Sequence, residues 1–284
     1  MTAHFTPEWL ALREPLDAAA RSPLLAARLA ASLPARPRLL DLGAGTGALF
    51  RWLAPMLGRA QAWTLVDDEA DRIEAAFDAI EAWADAREWT VTRPGRALLV
   101  HTPRGAWRVE ALIGDLADLP ALPFTRVDAV VCSALLDRAS RGWIERLASL
   151  LRTPLLACLM ARGPMSFLPL HPADAVLRAG LWRAQAQDSG LGPALGARAG
   201  MTLWRVLSAR GFAVTSAPTD WHVPRTAPAT LRAVVEACAE DAAAWQPIRS
   251  DAIEAWRRAR IRQALAARLA ICSGHRDSLA LPPR

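Results

Sequence analysis

The chain has 284 residues, 34 basic and 28 acidic, a formal charge of +6 and 52% apolar content. Every basic residue is Arg, and Lys, Tyr and Asn are absent throughout, so mechanisms that need a lysine or tyrosine base or an asparagine amide are excluded. The length suits one large domain or two small ones, and an Arg-, Ala- and Leu-rich composition makes the charge a weak argument for nucleic acid.

No apolar run approaches the ~20 residues of a membrane span, and the amino terminus has no basic segment followed by an apolar one, so the expected location is cytoplasmic. Cys132, Cys158, Cys238 and Cys272 are scattered without CxxC spacing, which argues against a zinc site or a disulfide framework; no metal is expected.

Residues 1–33 read as a helical preface. Trp9, Leu10, Leu12 and Leu16, then Leu24, Leu25 and Leu29, recur at helical spacing, and Ser22-Pro23 can start a second helix. Within it Arg13, Asp17 and Arg21 fall at i, i+4 and i+8, forming either an exposed ion-pair ladder or the inner face of a lid. A short Pro-Arg linker leads to a buried strand, 39–42, that ends in Gly43-Ala44-Gly45-Thr46-Gly47 and is followed by a helix at 48–57. Strand and helix recur at 61–67 and 69–86, a βαβα pattern that implies a parallel sheet. Short β-like runs at 97–101 and 107–113 flank a hairpin turn at 102–105. The clearest strand is 127–132; a helix bearing Trp143, Ile144, Leu147 and Leu151 leads to the next, 154–160. After 165–170, Pro172-Ala173-Asp174 opens a helix running to about 187, with Asp174 as its cap, and 188–196 is a glycine-rich candidate binding loop. A helix at 201–209, a sixth strand over 212–223, two helices broken near Gln246-Pro247, a turn at 273–277 and a last strand at 278–281 complete the chain. That last strand is expected to lie beside the sixth.

Glycines let a backbone approach a ligand closely, and the helix after Gly47 offers first-turn N–H groups. A phosphate P-loop is impossible without Lys, and the glycine spacing misses the dinucleotide fingerprint. The run from Asp41 to Gly47 resembles the cofactor loop of class I S-adenosylmethionine-dependent methyltransferases, in which an acidic residue precedes Gly-x-Gly-x-Gly. Three further strand ends agree in order: Asp67-Asp68, Asp115-Leu116 and Cys132-Ser133. The resemblance implies an α/β fold with a seven-stranded, mostly parallel Rossmann-like sheet flanked by helices, one domain with the preface, a core at 34–225 and 269–284, and a helical insertion at 226–268. It also implies S-adenosyl-L-methionine as cofactor. Asp41, Gly43, Ala44, Gly45, Thr46 and Gly47 would hold it, Asp67 with its neighbour Asp68 would take the ribose hydroxyls, Asp115 and Leu116 the adenine, and Cys132 and Ser133 would lie beside the methionine part.

The composition then removes subclasses: lysine-dependent ribose methyltransferases, and metal sites completed by Asn. Cys132 lacks the preceding Pro of cytosine-C5 enzymes. What remains is methyl transfer to an oxygen or nitrogen of a small-molecule acceptor by a monomer or homodimer; an RNA or protein acceptor and a non-catalytic cofactor-binding protein are the alternatives. Arg13 and Arg21 are candidates for the cofactor carboxylate or an acidic substrate. Arg178, Trp182 and Gln185 share a helix face leading to Asp188 and are candidate acceptor contacts. His171 is the first choice of base, ahead of His222 and His275.

Overall fold

The structure, a computed structural model, describes residues 6–283. Two proline-started helices form the preface: α1 (Pro7–Ala20), where the Thr6 hydroxyl accepts the Trp9 N–H at 3.3 Å, and α2 (Pro23–Ser32), where Ser22 does the same for Leu25 at 3.3 Å. The βαβα unit follows as β1 (Arg38–Leu42), α3 (Ala48–Leu57), β2 (Gln61–Asp67) and α4 (Ala70–Asp85). Then come β3 (Thr90–Thr92), β4 (Ala97–Thr102), β5 (Gly105–Ile113), β6 (Ala129–Ser133), α5 (Arg141–Leu150) and β7 (Leu155–Ala161). The remainder is β8 (Ser166–Leu168), α6 (Asp174–Gln185), α7 (Ala199–Ser208), β9 (Ala213–Pro218), β10 (Trp221–Val223), α8 (Pro228–Trp245), α9 (Ser250–Leu265), β11 (Ala270–Ser273) and β12 (His275–Leu281).

The main sheet has nine strands in the order β3-β4-β5-β2-β1-β6-β7-β12-β9. Five neighbours, β5 to β7, run parallel; β12 is antiparallel to both β7 and β9. The expected seven-stranded, mostly parallel sheet is therefore corrected to a larger, mixed one, because β3 and β4 fold back antiparallel onto β5. Phe50, Trp63, Trp83, Trp89 and Trp107 pack ring against ring beneath that added edge, an apolar payload that gives the extra strands something to bury. The last strand does lie beside the sixth core strand, as β12 against β9.

Helices cover both faces. Leu25 and Leu29 of α2, Leu53 of α3 and Ile80 of α4 share one core, while Trp143 and Leu147 of α5 and Leu203 and Leu207 of α7 share the other. A third core lies outside the sheet, where β10, β11 and β8 form a small antiparallel sheet packed with α6, α8 and α9 around Phe167, Val235 and Trp256. Trp9 and Leu16 of α1 also pack on it. The helices expected at 226–268 thus belong to a cap that also recruits β8 and α6. Gly180 makes the α6–α8 contact possible, since a Cβ there would lie 2.7 Å from the Ala242 backbone.

Two expected elements differ. The single strand over 212–223 is two, β9 and β10, in different sheets, and the turn expected at 273–277 is the passage from β11 to β12 at Gly274. Asp277 is fully buried and accepts the N–H groups of Ser22 (2.8 Å) and Leu159 (2.7 Å) and the Thr219 hydroxyl (3.0 Å), tying preface, β7 and the turn after β9 together. Among the described residues no helix is long and apolar enough to cross a membrane.

Candidate functional site

Direction fixes where chemistry can sit. In an open α/β sheet, ligands bind outside the carboxyl ends of the parallel strands, at the point where strand order reverses. Here that point lies between β1 and β6, and the glycine run leaves β1 there. Gly43, Gly45 and Gly47 all adopt positive φ (66°, 53° and 77°), which explains three glycines at alternate positions. The loop is pinned by Ala44 N–H to the Val66 carbonyl (2.9 Å), Gly45 N–H to Asp67 Oδ2 (2.8 Å) and Arg51 to the Thr46 carbonyl (2.6 Å). Gly47 caps α3 in the left-handed conformation.

Asp41 is buried at the end of β1, and neither of its carboxylate oxygens has a hydrogen-bond partner. Burial pushes its pKa up to about 8, opposed by the charge of Arg21 and assisted by that of Asp67. A buried acid with four unused lone-pair positions is costly unless a cationic ligand completes it. Arg21 is also buried, donates to Ser133 Oγ at 3.1 Å, and keeps its own Nε unpartnered. The ladder drawn from the sequence is therefore real but enclosed. Arg13 pairs with Asp17 at 3.1 Å and Arg21 reaches Asp17 at 3.9 Å, with all three side chains nearly removed from solvent.

The helix that carries Arg13 and Asp17 lies against the glycine loop. A Cβ at Gly45 would meet Leu10 of α1 at 3.4 Å, and Glu14 of α1 is ion-paired with Arg51 of α3. Asp67 already receives Gly45 N–H, Glu69 N–H and Arg72 Nε (2.9 Å), so Oδ2 keeps one lone pair for a hydroxyl. Arg72 also pairs with Asp68 (2.8 Å) and Glu69 (2.9 Å), partners that would hold it if Asp67 turned to a ligand. Burial raises the Asp67 pKa more than Arg72 lowers it. At the neighbouring strand end Asp115 is exposed and accepts the Ala117 N–H at 2.7 Å. Leu116 is buried; with Leu135 it flanks Gly43, and its carbonyl takes the Trp143 indole N–H at 2.7 Å. The Cys132 thiol is buried at the end of β6, and burial pushes its pKa up, so it stays neutral there.

The remaining sequence candidates have surroundings of their own. His171 Nδ1 takes the Ala173 N–H at 3.2 Å, and its backbone N–H goes to Asp174 Oδ2 at 2.9 Å. Asp174 is not a simple helix cap. It is the buried partner of Arg260, at 2.6 and 2.8 Å, and of the Trp256 indole at 2.7 Å. Arg178, Trp182 and Gln185 do share a face, but it is the solvent face, with Trp182 71% exposed, while Leu177 and Gly180 turn towards α8. Asp188 folds its own loop by accepting the N–H groups of Gly190 and Gly192 (2.8 and 2.9 Å).

Sequence reasoning missed Asp137, just after β6, whose buried Oδ1 has no partner and whose pKa burial raises. It also missed Trp221 and ranked His275 low. The signal was available in principle: a strand running antiparallel beside the fifth must begin at the carboxyl edge of the sheet.

No family model matches the chain. A 53-residue stretch, 18% of this chain, is 53% identical to the biotin biosynthesis bifunctional protein BioCD of Bordetella avium (strain 197N) and spans 11% of that protein. Among solved structures, a putative type II methyltransferase from Anaeromyxobacter dehalogenans is similar at TM-score 0.50 and 18% identity, over 93% of this chain and 98% of that one. The chain also covers 59% of Haemonchus contortus phospholethanolamine N-methyltransferase 2, itself seen with S-adenosylhomocysteine, at TM-score 0.47 and 12% identity with 99% of this chain aligned. With its reversal point between β1 and β6, its glycine loop and its final strand inserted beside the sixth, the chain has the class I methyltransferase fold.

Proposed function

We propose that the chain is an S-adenosylmethionine-dependent methyltransferase that moves a methyl group to an oxygen or nitrogen of a small metabolite. One observation carries the reading: beside a glycine loop at the reversal point, a buried acid with two unpartnered oxygens lies near a buried Arg with an unpartnered Nε. That pair is complementary to the ammonium and carboxylate of an amino-acid moiety. Asp41 would accept the ammonium, Arg21 with Ser133 would take the carboxylate, Asp67 a ribose hydroxyl, and Asp115 and Leu116 the adenine end. When bound, the cofactor supplies an electrophilic methyl on a sulfonium. The protein's task is to orient the acceptor and exclude water, for which a lid helix over the loop is suited.

The chain is read as one domain: preface as lid, sheet as cofactor platform, cap as the outer wall. The likeness over 53 residues to a protein named for biotin biosynthesis supports a small-molecule acceptor over a nucleic acid. Many arginines are also occupied, as in the pairs of Arg51, Arg72, Arg93, Arg141, Arg232, Arg257 and Arg260, which leaves fewer free for phosphates.

Calorimetric titration with S-adenosylhomocysteine tests the cofactor site. Asp67→Ala removes the hydroxyl acceptor and should weaken binding about 10–100-fold, the loss expected for hydrogen bonds to a charged group. Unchanged affinity would reject the assignment of Asp67. Incubation with methyl-labelled cofactor and a metabolite extract, read by mass spectrometry, tests turnover; cofactor binding without any labelled product would make the chain a binding protein.

A further inference from the structure

The sheet's own geometry brings a second group of unsatisfied polar atoms to the same edge. β12 is antiparallel, so its first residue, His275, pairs with Ala161 at the carboxyl end of β7. β9 ends there as well, with Pro218 opposite Arg276, and three residues later Trp221 begins β10. The two rings lie 5.2 Å apart between centroids, tilted by 55°. Trp221 is 5% exposed and its indole N–H has no partner; the buried Nδ1 of His275 has none either. Above them sits Arg13 of α1, with its guanidinium carbon 4.8 Å from the Trp221 centroid and its Nε held 3.1 Å from the Asp17 carboxylate.

The position of this group relative to the cofactor loop follows from α1. Leu10 covers Gly45 and Arg13 covers Trp221, and residues three apart on a helix are neighbours, about 5–6 Å between their Cβ atoms. One turn of one helix therefore roofs both the glycine loop and the Trp221–His275 pair. Arg13, Asp17, Arg21 and Ser133 form a continuous chain of contacts from the pair to the end of β6.

The atoms left open specify a chemical group. An indole N–H can only donate. A ring proton on the other nitrogen, on the side of the Ser273 backbone, leaves the unpartnered Nδ1 with its lone pair. Burial and the charge of Arg13, against Asp17 and Asp220, push the His275 pKa down to about 4, so the ring is neutral at neutral pH. One open donor and one open acceptor on rings whose centroids are 5.2 Å apart fit a group that both accepts and donates. A carboxylate would meet the imidazole lone pair with its own, and an ammonium would meet the indole N–H with another donor. A hydroxyl satisfies both and keeps a second lone pair for the methyl, whereas a neutral amine has a single lone pair that cannot receive the indole N–H and attack as well.

We infer that Trp221 and His275 form the methyl-acceptor subsite and that the acceptor is a hydroxyl compound, with its O–H directed at His275 Nδ1 and its oxygen receiving the Trp221 indole N–H. The inference rests on the methyl-transfer reading above and narrows it from oxygen or nitrogen to oxygen. In the step, an oxygen lone pair forms the new O–CH₃ bond while the S–CH₃ bond breaks and its electron pair stays on sulfur, giving the neutral thioether. The hydroxyl proton passes to His275 Nδ1, and the imidazolium returns it to solvent when the lid opens.

Two measurements test this on the full chain. In nitrogen-15 NMR of the protein saturated with S-adenosylhomocysteine, His275 should show an unprotonated Nδ1 from pH 5.5 to 8; a proton on Nδ1 in that range overturns the inference. In the labelling experiment, the product should carry its new methyl on oxygen. His275→Ala should lower kcat about 100–1000-fold, the range for loss of a general base, with KM changed only a few-fold. Trp221→Phe, which keeps a ring and removes the N–H, should lower kcat about 10-fold, and both variants should keep wild-type affinity for S-adenosylhomocysteine. Label on nitrogen, or wild-type kcat in His275→Ala, refutes the subsite. Should His275→Ala fail to fold, His275→Gln and the NMR result on the wild type still decide. Failure of the wild type to bind the cofactor would instead overturn the methyltransferase reading itself.

Discussion

Replacing Asp41 by Asn should weaken S-adenosylhomocysteine binding roughly 100-fold and, in the same protein, raise stability at alkaline pH. Both effects come from one carboxyl. Its oxygens are buried without partners, and its pKa stands near 8. A folded-state pKa raised above the ordinary value of about 4 means that the acid's contribution to stability is whole below about pH 4. That contribution is lost as pH rises towards 8, a cost on the order of 5 kcal/mol at the upper limit. Asparagine does not ionise and escapes that cost. An ammonium arriving at Asp41 does the opposite of burial: it favours the carboxylate and expels the proton. Titrations near pH 7 in buffers of differing ionisation heat should therefore show about one proton released by the wild type and none by Asp41→Asn. Equal affinity and equal proton release in the two proteins would mean that Asp41 does not meet the ligand.

The largest stability loss should follow from Asp174→Ala, about 3–5 kcal/mol, the usual consequence of leaving one member of a buried ion pair alone. The Arg260 side chain is entirely enclosed, and Asp174 receives its Nη2 on both carboxylate oxygens as well as the Trp256 indole and the His171 backbone. Burial alone would raise the Asp174 pKa, but these hydrogen bonds from Arg260, Trp256 and His171 together bring it below the ordinary value. A lowered pKa confers stability above about pH 4 that is lost as the acid protonates, so the wild type should weaken further below that pH and the variant should not. Urea denaturation at pH 7 and pH 3.5 reads both effects. The double variant Asp174→Leu/Arg260→Met should recover most of the loss, because an apolar pair leaves no charge stranded.

The parts of the fold that depend on local pattern were legible. β1, β2 and β6 announce themselves by apolar runs, and the glycines after Asp41 by a conformation that other residues resist. The buried state of Arg13, Asp17 and Arg21 was not, since spacing puts them on one stripe without saying what faces it. The same limit applies to α6: periodicity groups Arg178 with Trp182 and Gln185 without saying that this face is exposed and that α8 packs on the other side through Gly180. Asp174 looked like a cap because its true partner lies 86 residues away. His275 was hidden by Ser273-Gly274, which reads as a turn when in fact it carries the chain between two sheets.

Leu10 and Arg13 belong to the same turn of α1, so one turn of one helix covers both the glycine loop and the Trp221–His275 pair. On the proposed assignment, a cofactor leaving by displacement of α1 would uncover the acceptor as well. An acceptor with several positions to modify would then be set free between rounds, and its partly modified forms would accumulate in solution in order of appearance rather than pass straight to the final product.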